Sequence, residues 1–422
     1  MRKQIFLMML IAILSVMPFF AVGCSETPEK PDGSENNSEA YYPEKENMKT
    51  DGQYYQSENV QFPSSLWQTP ESERYAEWDK GSADANFIES LEGEQVFCYV
   101  GIPEGASKEN PVPGIVLVHG ATGTAFADWV DFWVQRGYAA IAMDTEGRMP
   151  TLEATTMNPS YQDSIRPHGP INKAFTDSQS PIEEQWAYHA LAAVIAGNSF
   201  LRSLEGVDVN NIGICGVSYG GFLTCLAAGF DDRYVFAVPV YGCLGNAQGA
   251  GEFGTYINAN EGAEIWDSTE VLRSNRTPTL FVNSIDDQFF TPDSMMRSVQ
   301  SCQYGAVSFI PGLTHGHSQC MDVQEIGIFA DSICKGATPL VRVKELNVET
   351  GEIQAAVPQG IELKAANQYY TDQDILNSET EWLTDETQVI GDAVYFSTES
   401  YKLHTIINIL DSRGCNVSVI VK

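Results

Sequence analysis

Basic residues are scarce in this chain: 24 lysines and arginines stand against 56 aspartates and glutamates, a formal charge of −32. A surface of that sign repels phosphate, which excludes nucleic acid as a partner and leaves neutral or cationic substrates. None of the nine cysteines forms a CxxC pair, so the spacing of a structural zinc site is absent. No internal repeat is visible, and the region before the first strand pattern has no room for a propeller. What remains is ordinary globular material, 43% apolar and 19% charged over 422 residues, enough for a large core and more than one domain.

The N-terminus has a different texture. Arg2 and Lys3 precede an apolar run from Ile5 to Val22 and then Gly23-Cys24. Residues 1–24 read as a secretory signal, and AVGC resembles a lipoprotein processing site at which Cys24 becomes the lipidated mature terminus. Ordinary cleavage or retention as an anchor are the alternatives. All three put the body outside the cytoplasm, and the lipidated form would sit at a bacterial cell envelope. Residues 25–51 are rich in Glu, Pro, Asn, Ser and Lys, the composition of an acidic tether. Eight cysteines follow Cys24, a number that permits disulfides in an exported chain. Cys98, Cys215 and Cys225 lie in apolar patterns that favour buried free thiols, while the pairing of Cys243, Cys302, Cys320 and Cys334 stays open.

Between about residues 85 and 336, apolar runs alternate with helical periods. EQVFCYVGIP, GIVLVHG, AAIAMD, NIGICG, YVFAVPVYG, PTLFVNS and AVSFIPG have strand character; FADWVDFWVQRGY and EEQWAYHALAAVIAGNSFLRSL have helical spacing. That rhythm predicts an α/β fold with a mostly parallel sheet covered on both faces, assigned to residues 52–336. Beyond Gly336 short alternating runs broken by Gly, Asn and Asp predict a small β-sandwich over 337–422.

One turn carries chemistry. Gly216-Val217-Ser218-Tyr219-Gly220 fits G-x-S-x-G between an apolar strand and a helix, the setting in which a nucleophile is lifted above a sheet on a strained turn. The positions two before and two after the serine are crowded, which explains their glycines. A serine needs a base, and the base needs an orienting acid. Downstream of Ser218, His315 lies in a loop after AVSFIPG, with His317 as runner-up and a structural role open to it. Asp287 is preferred to Asp286 as the acid because of its spacing to Pro292. Oxyanion donors are expected from the backbone of Tyr219 and of Ala121 or Thr122, with His119 pinning their loop. A metal held by HGH would lack a third ligand, and neither metal nor cofactor is expected. The long segment 145–181 reads as a substrate wall or lid in which Arg148, Tyr161, Arg166, His168 and Phe175 suit stacking on a sugar, a purely structural lid being the alternative.

VHGATGTAFADWVDFWVQRGYAAIAMD, GVSYGGFLTCLAAGFDDRYVFAVPVYGC, FVNSIDDQFFTP and IPGLTHGH resemble successive segments of the acetyl-xylan-esterase-like, prolyl-oligopeptidase-type α/β hydrolases. The C-terminal region, with NILDSRGCNVS, is similar to immunoglobulin-like appendages on some bacterial members. The resemblance implies a serine esterase acting on acetyl esters of small molecules or oligosaccharides, with Ser218, His315 and Asp287 as its triad. ATGT stands where a fuller glycine run is usual in that family. A serine peptidase of the dipeptidyl type and an inactive glycan-binding surface lipoprotein are the competing readings.

Overall fold

The computed structural model describes residues 57–421 apart from 58, 92, 173–174, 245–253, 255, 258, 260–261, 375 and 378. The signal, Cys24 and the tether at 25–51 lie outside the described residues.

The central strands are mostly apolar and buried, although one of them, Val207–Val217, opens on a polar stretch at Asp208–Asn211. β3 (Gln95–Gly101), β4 (Val112–Val118), β5 (Ala139–Met143), β8 (Val207–Val217), β9 (Phe236–Val240), β10 (Thr279–Asn283) and β11 (Gly305–Phe309) line up in the order β3-β5-β4-β8-β9-β10-β11. From β5 to β11 all neighbours are parallel, while β3, β2 (Asp84–Glu89) and β1 (Ser72–Arg74) add antiparallel strands at one side, and β6 (Arg148–Pro150) pairs with β7 (Tyr161–Asp163) in a separate two-stranded sheet. Parallel strands need crossover helices, so both faces are covered and neither can be polar. The two cores divide β4 by alternation. Ile115 and Leu117 join Trp129, Val130 and Trp133 of α1 (Ala127–Gln135) and Phe329 of α6 (Gln324–Cys334). Val116 and Val118 join α2 (Trp186–Ser203) and α3 (Tyr219–Phe230) on the other face. α4 (Thr269–Ser274) and α5 (Pro292–Ser301) complete the crossovers around β10. This is the α/β-hydrolase arrangement expected from the sequence, and it leaves the loops at the C-terminal ends of β4, β8, β10 and β11 on one edge.

The segment after Gly336 is antiparallel β. β12 (Arg342–Asn347), β13 (Glu352–Ala356), β17 (Ala393–Tyr395) and β16 (Gln388–Ile390) form one four-stranded sheet. β14 (Leu363–Thr371), β15 (Leu383–Glu386), β18 (His404–Asp411) and β19 (Asn416–Ile420) form a second layer, with Ile353, Val394 and Phe396 sharing a core with Ala366, Ile407 and Ile409. This second layer is not separate from the hydrolase sheet. β19 pairs antiparallel with β11 at Val307 and Ser418, so a single sheet of 13 strands crosses the 336/337 division.

That junction is polar and buried. Asn408 Nδ2 and Asn416 Nδ2 both donate to the Phe309 carbonyl, at 2.8 and 2.6 Å, and Phe309 N–H donates to Ser418 Oγ at 2.8 Å. Ser308 Oγ donates to the Asn416 carbonyl, and Asn416 N–H to Glu325 Oε1. Side chains here do what a full ladder does elsewhere: they satisfy the backbone of an edge strand. The eight described cysteines are all free thiols, seven of them buried, and Cys225 and Cys243 stand 3.8 Å apart at sulfur.

Asn416→Ala removes one of these buried donors and is expected to lower stability by about 1–3 kcal/mol. A urea titration followed by circular dichroism measures it. An unchanged midpoint would mean that the junction does not contribute.

Candidate active site

β8 ends at Val217, and α3 begins at Tyr219. The single residue between them, Ser218, has φ 57° and ψ −119°, a conformation that non-glycine residues rarely adopt. Surrounding contacts fix it there. Ser218 N–H donates to the Val240 carbonyl of β9 at 2.9 Å, and its own carbonyl accepts from Phe222 N–H at 3.0 Å. The glycines are required by close approach: a Cβ on Gly216 would meet the Gly220 carbonyl, one on Gly220 the Val118 carbonyl, and one on Gly242 the Ser218 carbonyl. The serine is therefore half-buried at the N-terminus of a twelve-residue helix, where backbone N–H groups and the positive end of the dipole gather.

The loops after β10 and β11 bring an acid and a base together. His315 Nδ1 donates to Asp287 Oδ2 at 2.7 Å. Asp287 is 4% exposed, and its other oxygen accepts from the N–H groups of Phe289 and Phe290 at 2.9 and 2.8 Å. A carboxylate held at both oxygens cannot swing away, so it fixes both the tautomer and the plane of the ring. Asp286 is exposed, and partial desolvation raises its pKa above the ordinary carboxylate value. Of the two aspartates, then, the one preferred by spacing is the one joined to histidine. The His315 ring is further boxed by Tyr241, 4.4 Å away between centroids, and by Phe289 at 4.8 Å.

Ser218 and His315 line one cleft of about 370 Å³, together with Ala121, Thr122, Tyr219, Tyr256, Phe289, Phe290 and His317. Ala121 and Tyr219, the residues expected to supply oxyanion donors, thus flank the serine. Thr122 follows with φ 60°, a left-handed position that tightens the loop. His119 is buried behind that loop, as expected of a pinning residue. Its Nδ1 donates to the Gly120 carbonyl at 2.7 Å, and its Nε2 accepts from Thr145 N–H at 3.0 Å. Burial lowers its pKa to about 4. Burial likewise lowers His317 to about 4, helped by the nearby His119 and His315.

The long segment after β5 departs from the sugar-stacking expectation. Arg148 pairs with buried Glu146 and lies 3.9 Å over the Tyr161 ring, while Arg166 pairs with Glu73. His168 is exposed, with Nδ1 on the Gly169 carbonyl at 2.7 Å. Phe175 is 1% exposed and packs edge-on against Trp186, Phe222 and Tyr219. None of these five residues is among those that line the cleft. Charge pairs engage Arg148 and Arg166, and core packing takes Phe175, which supports Tyr219 from behind. The cleft's aromatic lining comes instead from Tyr219, Tyr256, Phe289 and Phe290. The two phenylalanines sit in the same IDDQFF stretch as the acid, which is the signal by which sequence reasoning could have found them. Tyr241 was equally findable, as the residue just past the end of a parallel strand.

A doubly wound sheet in this order, with a serine on the turn after β8 and an aspartate–histidine pair after β10 and β11, has the α/β-hydrolase fold. Residues 81–259 match the family model for acetyl xylan esterase (AXE1), and over that span the chain is acetyl-xylan-esterase-like. Similar solved structures include an acetyl xylan esterase from Paenibacillus sp. R4, at 17% identity over 61% of this chain and 89% of that one, TM-score 0.48. Another is acetyl xylan esterase 1 from Thermoanaerobacterium sp. JW/SL YS485, at 15% identity over 61% of this chain and 90% of that one, TM-score 0.47. A third is an acylaminoacyl peptidase from Pyrococcus horikoshii, at 17% identity over 67% of this chain and 44% of that one, TM-score 0.45.

Both depressed histidines should stay neutral, protonated at Nδ1 only, until the pH falls to about 4. Imidazole nitrogen resonances of His119 and His317 are therefore expected to remain flat from about pH 8 down to 5, where a free histidine would titrate midway. A midpoint near 6.5 for either ring would refute its desolvated setting.

Proposed function

We propose that the protein is an exported serine ester hydrolase that removes short acyl groups, acetyl foremost, from carbohydrate. The observation that carries this reading is the hydrogen bond of 2.7 Å between Asp287 and His315 at the rim of the cleft that holds Ser218. The match of residues 81–259 to acetyl xylan esterase supports the acyl group and the carbohydrate.

In this reading His315 Nε2 takes the Ser218 hydroxyl proton as the serine oxygen attacks the ester carbonyl. Negative charge moves to the carbonyl oxygen, where the N–H groups of Tyr219 and Ala121 receive it. Asp287 stabilises the imidazolium formed in that step and keeps its Nε2–H directed at the cleft. The imidazolium then protonates the departing sugar oxygen, leaving an acyl-serine. Water, deprotonated by the same ring, attacks the acyl carbonyl, and acetate leaves as Ser218 regains its proton. Export and lipidation at Cys24 belong to the same proposal, with residues 25–51 as the tether that lets the cleft reach a polymer outside the cell.

The test is acetate release from acetylated xylan oligosaccharides beside p-nitrophenol release from p-nitrophenyl acetate. Ser218→Ala is expected to abolish turnover with an unchanged circular dichroism spectrum, and Asp287→Asn to lower kcat by about 10⁴. Undiminished activity in S218A would sink the reading, and faster cleavage of an aminoacyl anilide than of the acetyl ester would replace it with a peptidase. For the anchor, Cys24→Ser should shift the protein from the membrane fraction to the soluble fraction; retention of both forms in one fraction counts against lipidation.

A further inference from the structure

The two peptide planes on either side of Gly120 are each fixed by a histidine. Gly120 N–H donates to His317 Nε2 at 3.0 Å, and the Gly120 carbonyl accepts from His119 Nδ1 at 2.7 Å. A trans peptide is planar, so fixing the Gly120 carbonyl also fixes the direction of the Ala121 N–H on the far side of the same bond. The contact is close enough to exclude a side chain at Gly120 and at Gly123. A Cβ on Gly120 would stand 2.8 Å from Ser218 Cβ and 3.2 Å from His317 Nε2, and one on Gly123 would stand 2.6 Å from the same nitrogen.

His317 comes from the loop that carries His315, and every residue of His315-Gly316-His317 is anchored to a different part of the site. His315 holds Asp287, Gly316 exchanges hydrogen bonds with the Tyr241 hydroxyl, and His317 holds Gly120. Cys320 Sγ closes the turn on the His317 carbonyl at 3.1 Å, and the ring of Phe126 lies edge-on to His317 at 5.0 Å.

Building on the esterase reading above, we infer that His317 is a positioning residue: its Nε2 lone pair holds the Gly120 N–H, and so locks the loop carrying the Ala121 oxyanion donor to the loop carrying the base. It touches neither proton in flight nor acyl carbonyl; it sets where the donor stands. The neutral ring is what the role needs, since an imidazolium has no lone pair to offer a backbone N–H.

The experiment compares His317→Ala, His317→Gln and the wild type in the full protein with p-nitrophenyl acetate, and measures inhibition by an alkylboronic acid, which forms a tetrahedral adduct at serine. A glutamine carbonyl can accept the Gly120 N–H; a methyl group cannot. H317A is expected to lose about 10²-fold in kcat with KM within about twofold, and to bind the boronic acid more weakly by a similar factor. H317Q is expected to recover most of both. A ring with a merely structural role would affect stability without moving kcat and boronate affinity together. The inference is overturned if H317A keeps kcat and boronate affinity within about threefold of the wild type, or if H317Q is as impaired as H317A. An inactive wild type would instead defeat the esterase reading, and the positioning role with it.

Discussion

The backbone of Ser218 is the constraint on which the rest of the molecule depends. A residue with a side chain is held at φ 57° only because its neighbours over-determine the turn, through bonds from Val240 and Phe222 and through the bare backbones of Gly216, Gly220 and Gly242. Those contacts come from several elements. Val118 ends β4, Val240 ends β9, and Phe222 lies in the first turn of α3. The strain is distributed over three strands and a helix, and the buried residues of the sheet supply the rigidity that keeps it there. A less completely buried sheet would let the turn relax toward an ordinary backbone and draw the hydroxyl back toward the core.

Much of this was legible before any coordinates. The parallel sheet was readable because strands buried on both faces are apolar at every position, as in AAIAM of β5, and because helical spacing separates them. The serine turn was readable because its glycines are steric requirements with fixed offsets. The choice of Asp287 and His315 came from chain order and spacing, and geometry joins those two residues directly. Other features resist reading for a common reason: they rest on contacts between residues distant in sequence. Gly120 and His317 are 197 positions apart, and Asn416 reaches Phe309 across 107. The sugar-facing role assigned to Phe175 failed on the same ground. An aromatic residue in a long loop looks available for a ligand until the core that receives it, here Trp186 and Phe222, is known.

The C-terminal strands illustrate a further limit. Their alternation predicts antiparallel pairing and a sandwich, yet nothing in it says which strand meets the hydrolase edge. β19 does so through Asn416 and Ser418, joined by Asn408 of β18, residues of low strand propensity that composition alone would assign to turns. Their polarity is useful at that place. The outermost parallel strand of an open sheet is an unpaired edge, and capping it with specific side-chain donors satisfies Phe309 without offering a flat apolar ladder to another molecule.

Three imidazoles crowd one site, and their partners differ in a way that sorts their charges. His315 alone has a carboxylate at hydrogen-bond distance; His119 and His317 face backbone groups, with Asp144 3.7 Å from the former. Asp144 directs its other oxygen to the N–H groups of Glu146 and Arg148, and burial raises its pKa to about 6. Two neutral rings beside His315 matter because a second imidazolium within a few ångströms would oppose the first. Holding both neutral by desolvation suits the proposed mechanism, in which His315 alone takes up and returns the proton with Asp287 bonded to it. The same desolvation that empties His119 and His317 of charge preserves the Nε2 lone pairs that accept from Thr145 N–H and Gly120 N–H, so one physical cause serves both the rigidity of the loop and the proton economy proposed for His315.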